Sequence, residues 1–255
     1  FPRPPRPPLA TTNSCPGVQD WQRDPDRAVL LIAEIDRLAH LMRIGCLGSN
    51  KRLRRFAAVA AAIRDGAPIN EGHEVFQLSR EETRAINFHM KDLHKRAPKV
   101  CKLLLMRLGD GMGQDGGGAD PEFYTIEHVL PQRPPSASEW RRLFPSAEER
   151  DRCVESLGNL VLVTQKQNDR ARNASFAEKK AIFQNAPGDA PVLPITRDIF
   201  AADFWTFSAI AEREARLFAM LGEMFRIEIP PTLPSAPQSA ASGQGMAPRR
   251  RASPG

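Results

Sequence analysis

The sequence sets a carboxylate beside an imidazole at Glu127-His128 and follows them with two asparagines nine residues apart, Asn159 and Asn168. An unperturbed imidazole titrates near pH 6.5, so at neutral pH His128 can accept a proton from water without a large shift and is the candidate general base. Glu127 and Asn168 present hard oxygen donors suited to Mg²⁺ or Mn²⁺, and no thiolate lies near them in sequence. A base, a hard cation and a positioned water are what hydrolysis of a phosphodiester requires. One carboxylate with one neutral amide implies weak metal binding, completed by the substrate phosphate.

Local signals suggest how these residues are positioned. PEFYTIEHVLPQ at 121–132 is a short strand of β-branched and aromatic residues stopped by Pro131. ESLGNLVLVTQKQN at 155–168 gives a second strand over Leu160-Val161-Leu162-Val163, and Asn168 to Asn173 and Ser175 to Phe183 follow as helix, the latter opened by the capping box Ser175-Phe176-Ala177-Glu178. The insertion from Ser138 to Ser156 is one or two short packing helices. Neighbours on a regular strand point to opposite faces, so Glu127 and His128 can share a cleft only through a local bend, which Pro131 makes available. A strand regular through both residues would remove Glu127 from the ligand set. Arg170, Arg172, Lys179 and Lys180 form a basic edge that could hold DNA phosphates without reading sequence; the competing reading is a solvated helix face.

Strand, loop, strand, helix with an acid-histidine pair and two asparagines resembles the HNH, or ββα-metal, nucleases. IEHVLPQ, LGNLVLVTQKQN, SFAEKK, Phe204-Trp205 and Ala211-Glu212-Arg213 together resemble the C-terminal domain of GmrSD-type, modification-dependent restriction endonucleases. The likeness covers about 119–227, and the helices before it resemble the middle of the same family. It implies a divalent-metal-dependent DNA endonuclease that restricts foreign or modified DNA. It also implies that Asn159 completes the catalytic set by bonding to the backbone of the loop bearing the histidine. Glutamate stands here where many such centres have aspartate or histidine, and Asn168 replaces the final histidine of the name motif. Family members carry a nucleotide-using domain or subunit, for which this sequence offers no Walker loop. Taken singly, each motif residue has a plainer role as a packing histidine, a turn or a helix cap. A silent nucleic-acid-binding or regulatory module, or a helical partner-binding protein, therefore competes with the nuclease.

The remainder is helical. Leu31, Ile35, Leu38, Leu41 and Met42 define a helix between Ala28 and Gly45; a second runs from Asn50 to Gly66 with Lys51, Arg52, Arg54 and Arg55 at the dipole end that disfavours them. The capping box at Ser79 to Glu82 opens a third helix to Lys95, and Pro98 a fourth to Leu108. A last pattern from Ile199 to Ile227 places Phe204, Phe207, Ile210, Leu217, Met220 and Leu221 on an apolar side. Trp140 and Trp205 belong to core patterns. The expected fold is α+β and predominantly helical: a disordered Pro-rich segment at 1–27, a helical unit over 28–108, a Gly-rich linker at 109–118, the nuclease core with its packing helix over 119–227, and a disordered basic tail at 228–255. The opening Phe leads us to expect a fragment. Net charge is +6, compatible with a polyanionic partner. Four dispersed cysteines form no zinc pair and are expected as reduced thiols, and the absence of a long apolar run argues against a membrane span and for the cytoplasm.

Overall fold

The computed structural model describes residues 24–67, 69–70, 72–113, 119–185 and 190–234. The first helices begin where the sequence supplies a cap. Asp24 accepts from the Arg27 amide at 3.1 Å and Pro25 opens α1, Pro25–Ile44. α2 covers Ser49–Arg64, and α3, Arg80–Met90, starts on the reciprocal Ser79–Glu82 capping box. The basic start of α2 is answered by the acidic start of α3: Lys51 pairs with Glu81 at 3.0 Å and Arg55 with Glu82 at 3.5 Å.

The third helix expected to reach Lys95 breaks after Met90 and resumes as α4, Leu93–Arg96, before α5, Pro98–Met112. α5 runs on through Gly109 and Gly111, which the composition had suggested were linker. Gly109 is buried there because α5 packs closely on Ile195; a Cβ at 109 would stand 3.6 Å from that of Ile195. Of the expected linker, 114–118 lie outside the described residues.

β1, Tyr124–His128, pairs antiparallel with β2, Leu160–Thr164, with Glu127 opposite Val161 and His128 opposite Leu160. Two short helices connect them, α6 at Glu139–Leu143 and α7 at Ala147–Glu155. A second reciprocal capping box, Thr164 with Gln167, starts α8 at Gln165, three residues before the expected Asn168, and α8 ends at Ala171. α9, Phe176–Gln184, opens on the Ser175–Glu178 box; α10 is Pro194–Arg197. The last helix, α11, is Phe207–Phe225, begun by Thr206 rather than near Ile199, and Phe204 lies outside it, 72% exposed.

The sheet separates two apolar cores. Tyr124, Ile126, Leu160 and Leu162 face one core with Leu41, Ile86, Leu104 and Leu105 of the N-terminal helices; Val161 and Val163 face the other with Trp140, Phe176, Phe183 and Trp205. α11 reaches both, through Ile210 and Ala211 on one side and Leu217, Phe218 and Leu221 on the other. The N-terminal helices and the strand-bearing segment thus share apolar packing across the proposed 109–118 boundary. Arg37 adds a polar tie, donating from α1 to the carbonyls of Phe76 at 2.8 Å and Phe225 at 3.2 Å. At the edges of the described residues α1 includes 25–27, and Thr232 and Leu233 donate their amides to the Glu214 carboxylate, each at 2.8 Å. Residues 1–23 and 235–255 lie outside the described residues. Cys46, Cys101 and Cys153 are free thiols, and among the described residues no helix is long and apolar enough to cross a membrane.

Among the described glycines the tightest approach is at Gly158, just before β2. A Cβ there would lie 2.3 Å from the Ile210 carbonyl oxygen and 2.9 Å from the Glu214 nitrogen, so the turn and α11 are in backbone contact. Arg213 and Glu214 seal the contact. The buried Arg213 guanidinium donates to the carbonyls of Gly158 at 2.7 Å, Leu160 at 2.9 Å and Ile195 at 2.8 Å, and meets Asp198 at 2.8 Å. Glu214 accepts from the Ser156 hydroxyl at 2.7 Å. Gly158→Ala should therefore lower stability by about 1–3 kcal/mol, the usual range for overpacking, read as a fall in the urea midpoint at unchanged slope. An unchanged midpoint would refute the contact.

Candidate active site

The sequence-predicted residues gather around the C-terminal end of β1. Asn159, which starts the approach to β2, has no exposed surface and uses its whole side chain on neighbours. Its Nδ2 donates to the carbonyls of Leu130 at 3.0 Å and Val154 at 3.2 Å; its Oδ1 accepts from the Leu130 amide at 2.7 Å and Trp205 Nε1 at 3.0 Å. The amide thus clamps the segment two residues beyond His128. Asn159 is a positioning residue, too enclosed to meet substrate.

β1 stays paired through both Glu127 and His128, so the expected bend between them is absent. Their side chains diverge as the pleat requires. Both nevertheless line an open cleft of about 460 Å³ with Pro131, Gln132, Arg133, Arg172 and Asn173, because the cleft opens where β1 ends rather than over one face. Gln132 Nε2 stands 3.4 Å from His128 Nε2 at the cleft.

Glu127 is the counter-ion of Lys179. Lys179 Nζ, wholly buried, donates to Glu127 Oε1 at 2.5 Å and to the His128 carbonyl at 2.7 Å. Burial raises the Glu127 pKa and lowers that of Lys179, while their mutual attraction opposes both shifts. A carboxylate held by an ammonium on a regular strand does not fit a hard-cation ligand, so the assignment of Glu127 to Mg²⁺ or Mn²⁺ is withdrawn. Asn168 stands on α8, where its Nδ2 donates to the Ile126 carbonyl at 3.1 Å. That bond anchors α8 to β1, and a single amide oxygen makes no Mg²⁺ or Mn²⁺ site.

The basic edge divides in two. Arg170 and Arg172 are exposed, and α8 ends with Arg172 at φ +31°, a strained value for a side-chain-bearing residue that turns it toward the cleft. Lys179 is not available to phosphate. Phe176, Lys179 and Phe183 share the inward face of α9, three and four residues apart, so the lysine is carried into the core to meet Glu127. Lys180 is half-buried; its Nζ donates to the Ala202 carbonyl at 2.7 Å and lies 5.0 Å from the Phe176 ring centre.

Sequence reasoning missed His94 on α4 and Glu155 at the end of α7. The His94 and His128 rings meet edge to face, 4.8 Å between centres. Burial, the His94 imidazole and the Lys179 ammonium push the His128 pKa down to about 3, against the expectation of little shift. Burial also lowers His94, with Glu155 opposing. No spacing signal links positions 94, 128 and 155; the Phe176-Lys179-Phe183 spacing could have revealed the buried lysine.

A helical α+β protein with a histidine cleft at the end of a two-stranded sheet is the class that fold and site define. Residues 79–220 match the family described as GmrSD restriction endonucleases, C-terminal domain. That is more than half of the 255 residues, and the chain belongs to this family of restriction nucleases. The match begins within the N-terminal helices, well before residue 119, in keeping with the core they share with the sheet. No curated protein matches the chain.

Two outcomes follow from this geometry. Asn159→Ala leaves buried partners of four hydrogen bonds unsatisfied and should cost about 3 kcal/mol, seen in urea unfolding. A histidine whose folded pKa is depressed stays unprotonated while its unfolded counterpart binds a proton below about 6.5. Stability should thus be fully present above pH 6.5 and fall as pH drops from there toward 3, with a shallower fall in His128→Asn. Equal pH slopes for the two proteins, from urea midpoints at pH 8, 6 and 5, would contradict the burial of a neutral His128.

Proposed function

We propose that the chain hydrolyses DNA phosphodiester bonds at the cleft beyond β1, within a system that restricts foreign or modified DNA, with His128 as the general base. The reading rests above all on one observation: His128 lines a cleft with Arg133 and Arg172, in a chain of a restriction-endonuclease family. Both arginine head groups lack a hydrogen bond or ion pair among the described residues, so they are available to phosphate. A phosphodiester drawn to them adds negative charge beside His128, which raises an imidazole's pKa toward the range where it accepts a proton from water. Asn159 and Lys179 act through position, the first clamping Leu130 and the second the His128 carbonyl. HNH-type chemistry, dependence on Mg²⁺ or Mn²⁺, a cytoplasmic setting and association with a nucleotide-using domain or subunit are part of the proposal through the family resemblance. The ion would need donors other than Glu127, and no step is drawn through it.

The test compares the folded protein with His128→Asn on plasmid and on methylated or hydroxymethylated DNA, with Mg²⁺, Mn²⁺ or EDTA. Cleavage should need the divalent ion and fall by at least about a hundredfold in the variant, the scale of general-base catalysis. Equal cleavage by both proteins would overturn the assignment of His128. Salt-sensitive DNA binding without cleavage by either would instead favour a silent binding module, a reading that the Glu127–Lys179 pair specifically supports. Arg172→Ala should weaken DNA binding and reduce the slope of log affinity against log salt by about one; an unchanged slope would remove Arg172 from the phosphate contacts.

A further inference from the structure

On the face of β1 opposite Glu127, three side chains from three elements converge: His94 from α4, His128 from β1 and Glu155 from α7. One ligating atom of each lies within 4.8 Å of the other two. Glu155 Oε2 is buried without a hydrogen-bond partner, and His94 Nδ1, 4.0 Å away, is too far to supply one. A buried carboxylate oxygen aimed at two imidazoles and bonded to neither is a costly arrangement that a shared cation would resolve.

The geometry points to a three-donor transition-metal site formed by His94, His128 and Glu155. Two imidazole nitrogens and one carboxylate oxygen are a borderline-soft set, suited to Zn²⁺ and its neighbours Co²⁺ and Ni²⁺ rather than to Mg²⁺, which takes oxygens. Donors around a tetrahedral ion with bonds of about 2.1 Å stand roughly 3.4 Å apart, so binding requires a modest contraction of the triad. A groove lined by Lys91, Asp92, Gln132, Arg133 and Glu155 reaches Glu155 from solvent, and His128 lines the neighbouring cleft with Gln132 and Arg133.

The site does not depend on the nuclease reading, but it bears on it. A lone pair bound to a metal cannot accept a proton, so an ion here takes His128 out of service as a base. Zn²⁺ should then suppress cleavage supported by Mg²⁺ or Mn²⁺.

The experiment is zinc titration by calorimetry of the full chain, with Glu155→Gln and His94→Gln compared and Glu228→Gln, at an exposed carboxylate, as the control outside the triad. The expected result is one Zn²⁺ per chain, weakened at least about tenfold in both triad variants and not in the control. Absence of binding by the wild type, or equal binding by all four proteins, overturns the site. Circular dichroism establishes folding of each variant. Should a triad variant unfold, X-ray absorption of the zinc-loaded wild type decides: two imidazoles and a carboxylate around the metal support the site, and any other ligand set overturns it. Because binding is read without DNA, loss of the nuclease proposal leaves this result standing, and the reverse also holds.

Discussion

The backbone contact between Gly158 and α11 is the constraint on which the site depends. With no side chain at 158, the turn sits directly on the Ile210 carbonyl, and Arg213 and Glu214 fasten it by charge-assisted hydrogen bonds within a region closed to water. The next residue is Asn159, whose orientation follows from that turn. Asn159 then holds Leu130, and Leu130 follows the end of β1 where His128 faces the cleft. Gly158 thus sets the turn that orients Asn159, and the hydrogen bonds of Asn159 hold Leu130, two residues beyond His128.

Lys179 supplies the second anchor on β1. Its ammonium binds a side chain and a main-chain carbonyl of adjacent residues, so α9 grips the strand end from the face opposite His94. A fully buried ammonium is sustained only by such pairing, and removing either partner would strand a charge in a dry interior. His128 is thus enclosed between a cationic grip on one side and a second imidazole on the other. Both favour its neutral form, the state in which an imidazole nitrogen can take a proton or a metal.

The mixed origin of the cores explains why the family match extends into the N-terminal helices. Leu104 and Leu105 of α5 and Leu160 and Leu162 of β2 belong to one apolar cluster, and His94, beside His128, is brought there by α4. Helices set apart from the strand-bearing segment by composition therefore serve as one wall of its site. α5 continues through Gly109 and Gly111, which lie in ordinary contact with Ile195 and with Met220 and Met224 of its neighbours.

The sequence by itself determined the helical α+β class, the two strands, the capping boxes at Ser79 and Ser175, the burial of Trp140 and Trp205, and the likeness to the restriction-endonuclease family. These rest on local periodicity, capping chemistry and short motifs, which act over a few residues and are written in order along the chain. Only the tertiary structure decided that Glu127 belongs to Lys179, that Lys179 is buried rather than part of a DNA-binding edge, and that His94 and Glu155 stand beside His128. Those relations join positions 27 to 61 residues apart, as separate in sequence as His128 and Glu155 or His94 and Glu155. No spacing rule spans such distances; the pleat of a regular strand and the packing of three helices against it set which charges meet.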